Sequence, residues 1–126
     1  MTDSAPGTRP ATLAQRWLAF AGAIVAAASV ALSAYASHAA SGAGQASLQS
    51  AAAIAFGHGI ALAALSPGAW RRLPRIALAA MLLGILLFSG ALVVAHFAGV
   101  RAHTAPFGGS LLIAAWLVWA LDALRR

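Results

Sequence analysis

An all-α, integral-membrane bundle of four helices is the fold this sequence predicts, on three observations. The first is charge: 8% of the 126 residues are charged, against about a quarter in an ordinary soluble domain. A water-soluble surface cannot be built from so few charges. The second is where charges are missing. No Asp, Glu, Lys or Arg occurs between Trp17 and Trp70, between Ile76 and Val100, or between Ala102 and Leu121. A helix crossing the hydrocarbon layer takes about 20 apolar residues, so the first gap holds two crossings and each of the others one. The third is punctuation. Ser66-Pro67-Gly68 is a strong turn signal, and Trp17 and Trp70 stand at gap edges where interfacial aromatics belong.

The elements follow in order. Residues 1–15, MTDSAPGTRPATLAQ, are polar, with two prolines and a glycine, and are expected to be a disordered tail. Residues 16–126 then form a single four-span domain. The first span is expected at about 17–38, passing into SAYASHAASGAGQASLQS, a small-residue stretch that reads as a loop. A second, at about 48–65, stops at Ser66-Pro67-Gly68 and is followed by a basic connector, WRRLPR. The third, about 76–98, is the most hydrophobic. A short link from Gly99 to Ala105 leads to Pro106, suited to the first turn of a last span at about 107–124. One competing pattern stands beside the first span. Arg16, an apolar run and the small residues of ALSAYASHA also fit a secretory signal peptide cleaved near Ser37.

Charge placement predicts orientation. With four spans, Arg9, Arg16, Arg71, Arg72, Arg75, Arg125 and Arg126 share one side and Arg101 stands on the other. The positive-inside rule puts the arginine-rich side, and both chain ends, in the cytoplasm. The formal charge of +6 does not point to nucleic acid, because the arginines sit at the ends of oily segments and not along a face with interleaved aromatics. The absence of cysteine excludes disulfides, thiolate metal sites and cysteine nucleophiles.

Polar residues within the spans are the candidate functional groups. Gly22, Ala26, Ser29, Ser33 and Ser37 recur at spacings of three and four, a small-residue stripe expected to be a packing seam. Gly57, Gly59, Gly84 and Gly90 permit similar close approach. His38, His96 and His103 are expected near the outer face, three histidines converging on one side, and His58 near mid-membrane. Ser89 and His96 lie seven apart and so can both point into the bundle. An ionisable group at depth is a candidate proton relay or metal or haem ligand, while a neutral imidazole also serves as a helix-to-helix hydrogen bond. Asp122 is expected to pair with Arg125 and Arg126 at helical spacing, which leaves no acid in the core of any span.

The run LLFSGALVVA, followed after a short link by PFGGSLLIAAW, resembles the YgdD-like family of small bacterial inner-membrane proteins, a numbered family of unknown function (domain of unknown function 423). The resemblance rests on Phe88, Ser89 and Gly90 in the third span and on Pro106, Gly108, Gly109 and Trp116 in the fourth. SAYASH (Ser33–His38) is similar to the end of the family's first span, and His58 matches the histidine of a Tyr-Gln-x-x-His motif whose first two positions are Ile54 and Ala55 here. The likeness runs over about residues 17–122. It implies a membrane bundle with its first span retained, and it implies no reaction.

The function expected from the sequence is therefore a small multi-pass inner-membrane protein of structural or interaction role, not an enzyme. Its partners are the lipid bilayer and either a second copy or another membrane protein, and no cofactor is predicted. Two other readings stay open. One is a small dimeric transporter coupled through His58 or His96, since no membrane-embedded glutamate is present. The other is a haem- or metal-binding factor using His38, His58 and His96.

Overall fold

The structure, a computed structural model, describes residues 9–125. Four α-helices follow one another: α1 (Leu13–Ala39), α2 (Gly42–Leu65), α3 (Arg72–Ala98) and α4 (Ala105–Ala123), with a single 3₁₀ turn, Ser66–Gly68, between α2 and α3. All four are long and apolar enough to cross a membrane, and α3 is the most apolar. At 1.5 Å per residue α1 and α3 reach about 40 Å and α4 about 28 Å, against a hydrocarbon layer of about 30 Å.

Local chemistry sets the ends. Thr12 caps α1: its hydroxyl accepts from the Gln15 backbone N–H, while the Gln15 side chain accepts from the Thr12 N–H, a reciprocal capping box. The helix thus starts inside the stretch expected to be a tail, whose residues 1–8 lie outside the described residues. Between α1 and α2 the expected loop shrinks to Ala40 and Ser41. Alanine is the strongest helix former, so the Ala-Ser-Gly text continues as helix on both sides. The reversal falls where Gly42 takes φ +59°, a conformation that side chains disfavour. Gly99, at φ +67°, closes α3 in the same way. Pro106 lies in the first turn of α4, as its fixed φ suits. The connector WRRLPR is mostly helix, because α3 begins at Arg72 and Pro74 falls in the first turn, where a missing N–H costs nothing.

The helices alternate in direction. Gln15 at the start of α1 meets Pro67 after α2, Ser89 late in α3 meets Ala51 early in α2, and Arg71 before α3 meets Asp122 near the end of α4. Arg16, Arg71, Arg72, Arg75 and Arg125 therefore gather at one end of the molecule and Arg101 at the other. Packing makes two antiparallel hairpins, α1 on α2 and α3 on α4, which meet through α2 and α3.

Small residues fill much of the interior beside a core of Leu48, Leu62, Leu78, Met81, Ile85 and Leu112. Alanines 36, 51, 52, 55, 69, 77, 91 and 115 are buried, as are Gly22, Gly59, Gly84 and Gly108. Large side chains such as Phe20, Ile24, Ile76, Leu86, Phe97 and Leu117 face outward. In lipid nothing is gained by hiding a leucine from the solvent, and close backbone contact does the holding. Along α1 the buried positions are Gln15, Gly22, Ser29 and Ala36, one every seven residues, the repeat that keeps one seam against a neighbour. The expected stripe is thus half right: Gly22 and Ser29 are buried, while Ser33 and Ser37 are exposed.

Candidate functional site

Two glycine crossings set how closely the helices lie. A methyl group on Gly22 would stand 2.6 Å from the Gly59 carbonyl oxygen, and one on Gly108 would stand 2.8 Å from the Gly84 carbonyl oxygen. Gly57 and Gly90, expected to act likewise, face open space.

On this frame the candidate polar residues are fastened one by one. Ser89 is buried and its hydroxyl donates to the Ala51 carbonyl at 2.8 Å, joining the two hairpins. Ser89→Ala is expected to lower stability by about 1 kcal/mol, the scale of hydrogen bonds between membrane helices; unfolding in detergent would measure it. Thr104 donates to the Leu87 carbonyl at 3.0 Å and ties the entry of α4 to α3. Ser29, Ser37 and Ser110 instead donate to carbonyls one turn back on their own helices.

His58 links α2 to α4. Its Nδ1 lies 2.7 Å from the Ile54 carbonyl oxygen, and its Nε2 lies 3.1 Å from the Trp116 indole nitrogen. A carbonyl only accepts and an indole N–H only donates, so the contacts fit the tautomer with its hydrogen on Nδ1, and both nitrogens are engaged. Sequence reasoning singled out His58 and Trp116 separately and missed their pairing, which spans 58 residues. The Trp116→Phe substitution removes only the indole donor. A double-mutant cycle of Trp116→Phe with His58→Ala should return a coupling of about 0.6–1.7 kcal/mol.

The other histidines do not join His58. His96 is half-buried at the far end of the molecule from the main arginine group, its Nδ1 3.0 Å from where a Gly44 Cβ would stand. Its ring packs edge-on to Phe97 at 4.9 Å and to Tyr35 at 6.0 Å. His38 is exposed in a groove of about 440 Å³ between α1 and α2, with Ser33, Ser37, Gln49 and Phe56. His103 is exposed beside Arg101 and Pro106. His38, His96 and His103 all stand at the Arg101 end of the molecule, and among the described residues no three His or Asp side chains are grouped to hold a metal ion. The remaining motif residues are structural in placement. Phe88 packs on the core, and Gly109 lies at ordinary contact distance from its ring.

A polar layer underlies the arginine-rich end. Gln15, fully buried, donates from Nε2 to the Pro67 carbonyl at 3.3 Å. Asp122, 1% exposed, takes the Arg71 Nη2 at 2.6 Å on Oδ1, and the same nitrogen lies 3.1 Å from the Asp122 carbonyl. The ion pair described for Asp122 reaches across to the start of α3, while Arg126, one of its expected partners, lies outside the described residues. Asp122 is on the buried face of α4, and Arg125 is exposed. Ser66, fully buried, has a hydroxyl with no hydrogen-bond partner among the described residues.

The family model described as "Protein of unknown function (DUF423)" matches residues 32–109, which take in the end of α1, all of α2 and α3, and the first turn of α4. No curated protein and no solved structure matches the chain.

Proposed function

The chain belongs to the DUF423 family, and from that premise we propose that this small membrane protein is a multi-pass protein of the bacterial inner membrane with a structural or interaction role. Both ends of the chain would face the cytoplasm, as the grouping of arginines at one end of the molecule supports. Its partners are the bilayer and a second copy or another membrane protein.

The observation that carries this reading is the use made of the polar groups within the spans. Ser89 holds α3 to α2, and His58 with Trp116 holds α2 to α4. A relay or a ligand needs an atom free to exchange a proton or take a metal, and both His58 nitrogens are engaged in holding helices together. The transporter and haem readings therefore fall to His96 and His38, which sit apart from the core.

Reconstitution tests it. Purified chain in proteoliposomes is expected to give no visible absorption band and no substrate-driven flux. His58→Ala and Ser89→Ala are expected to lower its melting temperature. A flux or a redox signal that disappears in His58→Ala or His96→Ala, with melting unchanged, would overturn the proposal. Orientation is tested separately by reporter fusions, which should place both ends in the same, cytoplasmic, compartment.

A further inference from the structure

A lipid-facing surface that carries idle hydrogen-bonding groups is incomplete, because hydrocarbon offers them no partner. The groove of about 440 Å³ between α1 and α2 is such a surface. Among the described residues, the Gln49 amide, the Ser33 hydroxyl and the His38 ring on its walls make no hydrogen bond. The Ser29 and Ser37 hydroxyls beside them are satisfied within α1. Among the same residues no other helix covers this side: α1 is the least buried of the four and packs mainly on α2.

Depth decides which of these groups water can serve. Ser33 lies six residues before the end of α1, and Gln49 seven after the start of α2. At 1.5 Å per residue both are about 10 Å in from the Arg101 end. Both helices overhang a hydrocarbon layer of about 30 Å by only a few ångströms at each end, so these two side chains face lipid tails. His38, in the last turn of α1, reaches the level of water.

We propose that the α1–α2 groove is the contact surface of a homodimer, two copies meeting side by side across a two-fold axis normal to the membrane. Self-complementarity favours a second copy over an unlike partner. Copies inserted with one orientation present each residue at equal depth, so that Gln49 meets Gln49 and Ser33 meets Ser33 near the axis. An amide and a hydroxyl both donate and accept, so each satisfies its own kind. The lining holds no Asp, Glu, Lys or Arg to repel its copy across the axis. Exposed Val30 and Phe56 share it with the small Ala34 and Ala53, knobs and holes for a like surface. This dimer presupposes the multi-pass membrane reading above and narrows its partner to a second copy; it does not depend on which side of the membrane either end faces.

The test uses the full-length chain, which has no cysteine of its own. Sedimentation equilibrium in density-matched detergent is expected to find a dimer. Gln49→Leu should weaken association about tenfold, the scale of a hydrogen-bonded pair between membrane helices, and Gln49→Asn, which keeps an amide, should keep most of it. Gln49 bonds nothing among the described residues of its own copy, so the helical circular-dichroism signal of Gln49→Leu should match wild type. In proteoliposomes a short bis-maleimide should join two His38→Cys chains, at the water-level end of the groove. It should leave His103→Cys chains, substituted on the other hairpin, single. A monomeric wild type, association that Gln49→Leu leaves unchanged, or joining at His103→Cys in place of His38→Cys would overturn the proposal. So would a monomer that retains lipid in the groove, or a His38→Cys chain that joins only a different protein in its native membrane. A chain that stays in solution without detergent would sink the membrane reading together with this one, whereas a wild type monomeric in detergent and bilayer sinks the dimer alone.

Discussion

Alanine at Gly108 is expected to destabilise the protein by about 3 kcal/mol, the upper part of the range for forcing extra atoms into a packed interior. The new methyl group would stand 2.5 Å from the Phe88 backbone nitrogen and 2.8 Å from the Gly84 carbonyl oxygen. Both are backbone atoms, so no side-chain rotation relieves the overlap, and α4 must move off α3. Gly22→Ala should behave alike at the other crossing, 2.6 Å from the Ala63 nitrogen and from the Gly59 oxygen. The loss matters more in lipid than in water. Once the backbones part, no hydrophobic force draws the helices back, and the dispersion contacts along the seam go with them. Gly57→Ala and Gly90→Ala are the controls. Each faces open space within a helix, so each should be neutral or stabilise by up to roughly 1 kcal/mol through helix propensity alone. Unfolding of the four variants in detergent reads the difference. A Gly108→Ala protein as stable as Gly90→Ala would mean the crossing is not where the structure puts it.

Gly57, Gly59, Gly84 and Gly90 mark the boundary of what the sequence makes legible. The spans could be read because the cost of burying charge in lipid writes long charge-free gaps into the text. The same text flags Gly57 and Gly59 together, and Gly84 and Gly90 together. Only a known helix rotation tells that Gly59 and Gly84 face a partner. The seven-residue recurrence of Gln15, Gly22, Ser29 and Ala36 was the available signal for that rotation in α1, and it was obscured by serines at three- and four-residue spacing. The loop expected after the first span failed for a different reason. Alanine, serine and glycine serve both as tight-packing helix faces and as linkers, and composition does not separate the two uses. Ser89 was legible as helix-to-helix glue because a lone hydroxyl in an apolar span has few other ways to be satisfied. The His58–Trp116 and Arg71–Asp122 pairs were not, since they join residues 58 and 51 apart whose meeting depends on the order in which helices pack.

The Arg71–Asp122 pair yields an asymmetric expectation. Asp122 is 1% exposed while the Arg71 side chain is 48% exposed. Removing one partner of a buried pair costs about 3–5 kcal/mol, most of it from the charge left behind without compensation. Arg71→Ala takes the guanidinium from a buried carboxylate that keeps a further contact, so a loss of about 2–3 kcal/mol, short of the full range, is expected. Asp122→Asn leaves the charge on a guanidinium that already meets water, and the asparagine side-chain oxygen can still accept from Nη2, so about 1 kcal/mol is expected. The order of the two variants, more than either magnitude, tests the burial. A comparison by denaturation in detergent should find Arg71→Ala the less stable of the two, and the reverse order would place the carboxylate in contact with water. Replacing both partners, as Arg71→Met/Asp122→Leu, should recover most of the loss, since a buried pair and a well-packed apolar pair are often close in stability. A double variant that stays as unstable as Arg71→Ala would show that the pair fixes the seating of α4 against the start of α3.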